Sequence, residues 1–170
     1  LDILQRASVA MQHALDTAWT DRAQPSVLRT PDEALILASI VEKETGVADE
    51  RPQIAGVFTR RLKIGMRLQT DPTVIYGMGS AYAGNIRRAD LLADTPYNTY
   101  TRTGLPPTPI AMPGLDALRA VARPAEGESL FFVAVGDGSG RHVFTRTLAE
   151  HQAAVQAYLQ RYRQQQQKAQ

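Results

Sequence analysis

A chain of 170 residues with 44% hydrophobic content is long enough to bury one core of its own, without disulfides or structural metals. Its 19 lysines and arginines against 17 aspartates and glutamates leave a formal charge of only +2, which gives no footprint for nucleic acid. The lack of cysteine excludes disulfide frameworks, thiol nucleophiles and Cys-ligated zinc, and the longest apolar run, Ala34 to Val41 interrupted by Ser39, is far short of the roughly 20 residues of a membrane span.

In chain order, Ile3, Leu4, Ala7, Met11, Leu15 and Trp19 recur at three- and four-residue steps and predict an amphipathic helix from Asp2 to about Arg22. The chain starts without Met, inside that helical pattern and with no charged-then-apolar leader, so a fragment is expected, with any targeting segment upstream. Thr30-Pro31-Asp32-Glu33 supplies a capping hydroxyl, a proline at the first helical position and a glutamate to close a capping box, opening a second helix that runs toward Gly46. Being apolar nearly all round from Ala34 to Val41, this helix is expected to be buried. A third follows from about Glu50 to Ile64, with Gly65 at its left-handed terminus.

Met66 to Pro113 breaks into short pieces separated by Gly, Pro, Asn and Thr, with Asp71-Pro72 reading as the cap of a brief helix through Tyr76. Helical signals return from about Gly114 to Ala122. Ser129 to Val135 and His142 to Thr145 then flank a Gly-rich turn and predict a β-hairpin. A second capping box, Thr147 to Glu150, opens a closing helix to about Arg163, and the Gln-rich tail Gln164 to Gln170 is expected to fray. The sum is an α+β class chain, a mostly helical single domain with a small antiparallel sheet. Its parts are an N-terminal helix and linker over 1–29, a main unit over 30–163 and the tail over 164–170.

Two acids compete for attention at the end of the second helix. Glu42 follows directly on the apolar run, where desolvation would keep a carboxylic acid protonated and able to donate to a leaving oxygen. It equally marks the point where a buried helix emerges into solvent, paired with Lys43 or an arginine of the third helix. Glu44 lies about 200° away around the helix, so the two cannot share one site. Asp71, preceded by Gln69 and Thr70, is the better second acid, although a helix cap suits it more. Between Tyr97 and Ile110, the run YNTYTRTGLPPTPI offers rings, an amide and hydroxyls of the kind sugar clefts use; it reads equally as a Pro-rich surface loop. His142 reads as structural. Neither His13 nor His151 has metal-ligand spacing, and no metal site and no cofactor are expected.

The segments LILASIVEKET (Leu35–Thr45), VFTRRLKIGMRLQTDPTVIYGMG (Val57–Gly79), YNTYTRTGLPPTPIAMPG (Tyr97–Gly114) and FFVAVGDGSGRHVFTRTLAEH (Phe131–His151) resemble the endolytic murein transglycosylase, or YceG-like, family. The likeness runs in order from about Thr30 to Tyr162. It implies non-hydrolytic cleavage of peptidoglycan glycan strands between N-acetylmuramic acid and N-acetylglucosamine, leaving a 1,6-anhydromuramoyl end. It places the catalytic glutamate at Glu42 and offers Gln69, Asp71, Tyr97, Asn98 and Tyr100 as substrate-binding residues. It further implies a periplasmic position at the inner membrane through an upstream anchor, and penicillin-binding proteins as partners. Three rivals stand beside it: a peptidoglycan-binding module without catalysis, a two-carboxylate muramidase, and a pyridoxal-phosphate lyase. The last would have only Lys43, Lys63 and Lys168 for its Schiff base and has no Gly-rich phosphate cradle.

Overall fold

The run Ala34 to Val41 becomes the middle of a helix around which the other elements pack. In the computed structural model, which describes residues 2–168, this helix is α2 (Pro31–Glu44), and Leu37, Ala38, Ile40 and Val41 are fully shielded from solvent. Each large aliphatic side chain so buried contributes about 1.5–3 kcal/mol. Thr30 caps the helix by accepting the Glu33 N–H. Glu33 itself reaches back to the Arg29 N–H at 2.5 Å, one residue further than the expected capping box. Ser39, the one polar residue in the run, donates to the Ile36 carbonyl and accepts the Ile110 N–H at 2.9 Å, which fastens the long loop to α2.

Helices α1 (Asp2–Thr20), α3 (Arg51–Lys63) and α6 (Leu115–Ala122) pack against this centre. Only the second half of α1 does so, through Met11, Leu15 and Ala18, whereas Ile3, Leu4 and Val9 remain exposed. The apolar stripe expected along the whole of α1 therefore finds a partner surface over half its length. A 3₁₀ turn, Ala48–Glu50, leads into α3, and Gly65 takes φ +69° just beyond its end, as its position predicts.

Between Met66 and Pro113 lie α4 (Asp71–Met78) and α5 (Arg88–Leu92), the latter too short to leave a periodic signal. The hairpin forms as expected. Strands β1 (Phe131–Ala134) and β2 (His142–Thr145) pair antiparallel, with Phe132 opposite Phe144 and Ala134 opposite His142. Phe132 packs edge-on against the buried Phe58 of α3, joining the hairpin to the core. Helix α7 (Leu148–Lys168) begins at a complete capping box, Thr147 and Glu150 each bonding the other's N–H, and lies against the hairpin. It continues past Arg163 instead of fraying there; Ala169 and Gln170 lie outside the described residues.

The hairpin hangs on α3 through two arginines. Arg60 donates to the Ser129 and Ala125 carbonyls, and Arg61 to that of Leu130 at 2.7 Å. Gly56 permits this approach, because a β-carbon there would stand 2.4 Å from the Ala125 carbonyl oxygen, a backbone atom that cannot swing away. Gly56→Ala is therefore expected to destabilise the fold by about 1–3 kcal/mol through overpacking, measured by urea denaturation. An unchanged midpoint would show that the contact yields freely.

Candidate active site

Glu42 and Glu44 leave α2 on different faces, as the helical repeat requires. The face matters more than the order in sequence. Leu37, Ile40, Val41 and Glu44 follow one another at steps of three, one and three, so Glu44 extends a fully buried stripe by one turn. Glu42 instead points at α6, where its Oε2 accepts the N–H of Gly114, the N-cap residue, at 3.0 Å. A carboxylate there complements the positive end of the α6 dipole and ties α6 to α2. The structure thus assigns Glu42 a capping contact and does not bring it together with Gln69, Asp71 or Tyr100. Glu44 is the acid that meets those residues.

A cleft of about 420 Å³ opens at Glu44. Gln69, Asp71, Tyr100, Arg61, Phe131 and His151 are among the residues that line it. Burial pushes the Glu44 carboxyl up to about 6; a hydrogen bond from Thr70 lowers it and the nearby Asp71 raises it, while His142 and Arg61 pull it down. Asp71 is the first residue of α4, not its cap: the N-cap is Thr70, and the Asp71 carboxylate accepts the Tyr100 hydroxyl at 2.5 Å. Burial and that carboxylate hold the Tyr100 phenol well above its ordinary range, so it serves as a donor. Gln69 is the only non-glycine residue among those described with positive φ, at +50°. Its N–H donates to the Thr99 carbonyl, locking the turn that aims Thr70 at Glu44.

In the same lining, the ring of Phe131 has the Arg61 guanidinium 5.3 Å from its centroid and the His151 imidazole stacked at 5.2 Å. Arg61 is 6% exposed, yet it is held by the Leu130 and Leu68 carbonyls and forms no ion pair among the described residues, so its charge acts on Glu44 across the cleft. Burial and Arg61 lower the His151 pKa, keeping the imidazole neutral, and its Nδ1 is buried without a partner.

Two of the expected site residues stand elsewhere. Tyr97 bonds Thr108 through its hydroxyl and packs its ring on Tyr76. Asn98 is 1% exposed; its amide is within reach of the carbonyls of Asp90, Leu91 and Ala93, and its Oδ1 accepts the Tyr100 N–H. Asn98 thereby shapes the loop that presents Tyr100, and neither residue lines the cleft. His142, read as structural, has a partner the sequence did not disclose: Glu50, 4% exposed, bonds its N–H and its Nδ1. Sequence reasoning weighed Glu44 only as a partner for Glu42 and set it aside, and it did not single out Thr70, Arg61 or His151 for the cleft that the structure shows. Only Glu44 carried a signal, its place on the buried stripe. A larger groove, about 670 Å³ between α1, α3 and α6, contains no buried acid and is lined mainly by apolar groups and the exposed Asp116–Arg119 pair. Among the described residues no group of three or more His, Asp or Glu is placed to hold a metal.

The cleft of this helical domain thus presents one desolvated acid beside a tyrosine and an arginine. Known proteins supply the family. The YceG-like family profile matches residues 1–157, and the chain belongs to that family. It is 43% identical over 125 residues to the endolytic murein transglycosylase of Bacillus subtilis, covering 74% of this chain and 34% of that protein. To the endolytic murein transglycosylase of Streptococcus pneumoniae D39 it is 37% identical, covering 72% and 24%. A crystal structure of a yceG-like protein from Listeria monocytogenes superposes with a TM-score of 0.67 at 41% identity, covering 72% of this chain and 39% of that one. The chain thus spans about a quarter to a third of the length of these curated relatives.

The Glu44 environment has a cost that titrates. The folded protein holds this proton more tightly than the unfolded chain, whose glutamate has its ordinary value of 4.5, so stability falls as pH rises from about 4.5 through about 6. Glu44→Gln is expected to be more stable than the parent by about 1–2 kcal/mol at pH 8, with the gain gone at pH 4, read from urea melts at both pH values. An equal difference at the two pH values would contradict a desolvated, proton-retaining Glu44.

Proposed function

We propose that this chain is the catalytic part of a peptidoglycan lytic transglycosylase and that Glu44 is its acid and base. The observation that carries the reading is the desolvated Glu44 carboxyl at the floor of a polar cleft, in a chain whose relatives bear the name endolytic murein transglycosylase. Protonated Glu44 gives its proton to the glycosidic oxygen between N-acetylmuramic acid and N-acetylglucosamine, and the C1–O bond breaks. The muramoyl 6-hydroxyl attacks C1 of its own sugar and passes its proton to the Glu44 carboxylate, which restores the acid and leaves a 1,6-anhydro end. No water is consumed, and the attacking oxygen is supplied by the substrate at high effective concentration. One carboxyl suffices for both proton transfers.

Other cleft groups have matching tasks. Arg61 offsets the negative charge that Glu44 acquires after donating, Asp71 and Tyr100, whose own proton goes to Asp71, offer acceptor oxygens to sugar hydroxyls, and Gln69 offers an amide at the rim. The catalytic unit is assigned to residues 30–163, with α1 docked on it through Leu15 and Ala18. The reading places the protein outside the cytoplasmic membrane, where glycan strands lie, held by an upstream anchor and working beside penicillin-binding proteins. No helix among the described residues is long and apolar enough to cross a membrane.

A second reading has one observation in its favour. Asp71 lines the same cleft as Glu44, and two carboxylates across a sugar are the equipment of a muramidase. Mass spectrometry of fragments released from purified peptidoglycan separates the two. The parent and Glu42→Gln are expected to release anhydromuramoyl ends at similar rates, since glutamine keeps the acceptor for Gly114, whereas Glu44→Gln falls by at least about 10³-fold. Reducing muramoyl ends would establish the muramidase, and loss of activity in Glu42→Gln with retention in Glu44→Gln would overturn the assignment of the acid.

A further inference from the structure

Three threonines lie beneath Glu44, each nearly sealed from solvent: Thr70 and Thr99 at 2% and Thr73 at 0% exposure. Each hydroxyl has one proton to give, and the geometry determines where each proton goes. Thr73 Oγ1 donates to the Thr70 carbonyl at 2.8 Å. With that proton committed, the 2.9 Å contact between the Thr73 and Thr99 hydroxyls is donated by Thr99. Thr99 Oγ1 in turn accepts the Thr70 N–H at 3.1 Å. The backbone of Thr70 is thus gripped at both its N–H and its carbonyl by the other two hydroxyls. Its own hydroxyl is left with one partner, Oε1 of Glu44, to which it donates. Among the described residues no protein group bonds Glu44 Oε2.

We propose that Thr70 is the positioning residue of this cleft: its hydroxyl, on a backbone held by Thr73 and Thr99, occupies one oxygen of Glu44 and so assigns the other, Oε2, to carry the proton that is transferred. The inference rests on Glu44 being the acid of the proposed reaction. Without the bond, the Glu44 carboxyl is free to rotate about its terminal torsion, and its proton is distributed over two oxygens, one of which faces the threonine cluster and not the glycan. The positive φ of Gln69 fits this role, since backbone in a sparsely populated region is retained where neighbouring contacts demand it, and the demand here is the direction of Thr70.

The test compares Thr70→Val, which keeps the shape and removes the donor, with Thr70→Ser, which keeps the donor, following release of fragments from peptidoglycan across pH. Thr70→Val is expected to lose about 10–100-fold in kcat, the usual range for a bond to a charged group, with KM changed by less than about threefold. Because the lost bond favoured the carboxylate, the alkaline limb of its profile moves to higher pH, and Thr70→Ser returns both kcat and limb toward the parent. Thr99→Val, which loosens the grip but leaves the Thr70 hydroxyl in place, gives a smaller loss with a limb shift of the same sign, and serves if Thr70→Val does not fold. Parent-like kcat and pH profile in folded Thr70→Val, no rescue by Thr70→Ser, or a Thr99→Val profile unshifted where Thr70→Val is unfolded, each overturns the inference. An inactive Glu44→Gln alongside an unaffected Thr70→Val would sink the role of Thr70 alone, whereas an active Glu44→Gln would sink the underlying reading with it.

Discussion

Burial of α2 on every side is the constraint from which the site follows. A helix apolar all round must be covered all round, so α1, α3, α4 and α6 each take a flank. Its last turn then carries the only charges on the helix beyond its first turn, and they emerge into environments that the surrounding elements have already shaped. Glu42 emerges beneath the start of α6 and becomes a cap; Glu44 emerges between α3, α4 and the hairpin and becomes a desolvated acid. Two identical side chains, two residues apart, acquire different chemistry from which flank each one faces.

The same packing sets the balance of charge in the cleft. Arg61 enters almost fully buried, held by backbone carbonyls, so it offers a permanent positive charge without neutralising Glu44 through a direct ion pair. A tight pair would hold Glu44 ionised. Burial pushes the acid up while Arg61 and the Thr70 donor pull it back, and the outcome near 6 leaves it able to exist in both forms near neutral pH. The hairpin contributes Phe131 and the start of α7 contributes His151, so the closing wall is built last in the chain and depends on the arginine bonds that hang it on α3.

Much of the fold could be read from local patterns because local patterns cause it. The cap at Thr30, the glycine after α3, the hairpin around its Gly-rich turn and the capping box at Thr147 act over a few residues, and all four appear where the residues predict them. The short α5 and the course of the closing helix beyond Arg163 lacked such signals. At the site, Gln69, Asp71 and Tyr100 were named from the sequence and do line the cleft, while Tyr97 and Asn98 turned out to support the loop from outside it. Asp71 resembled a cap because acids before proline commonly are caps, but the neighbouring Thr70 holds that position.

What the sequence determined by itself is the set of elements and the burial of α2, since periodicity and capping are properties of neighbouring residues. It also determined that Glu42 and Glu44 could not serve one site, a consequence of the helical repeat alone. Which of the two lies desolvated in a cleft was decided only by tertiary structure. The grip of Thr70 comes from 26 residues away along the chain, and desolvation and the charge of Arg61 likewise come from other elements; no local pattern specifies which face of a buried helix they will reach.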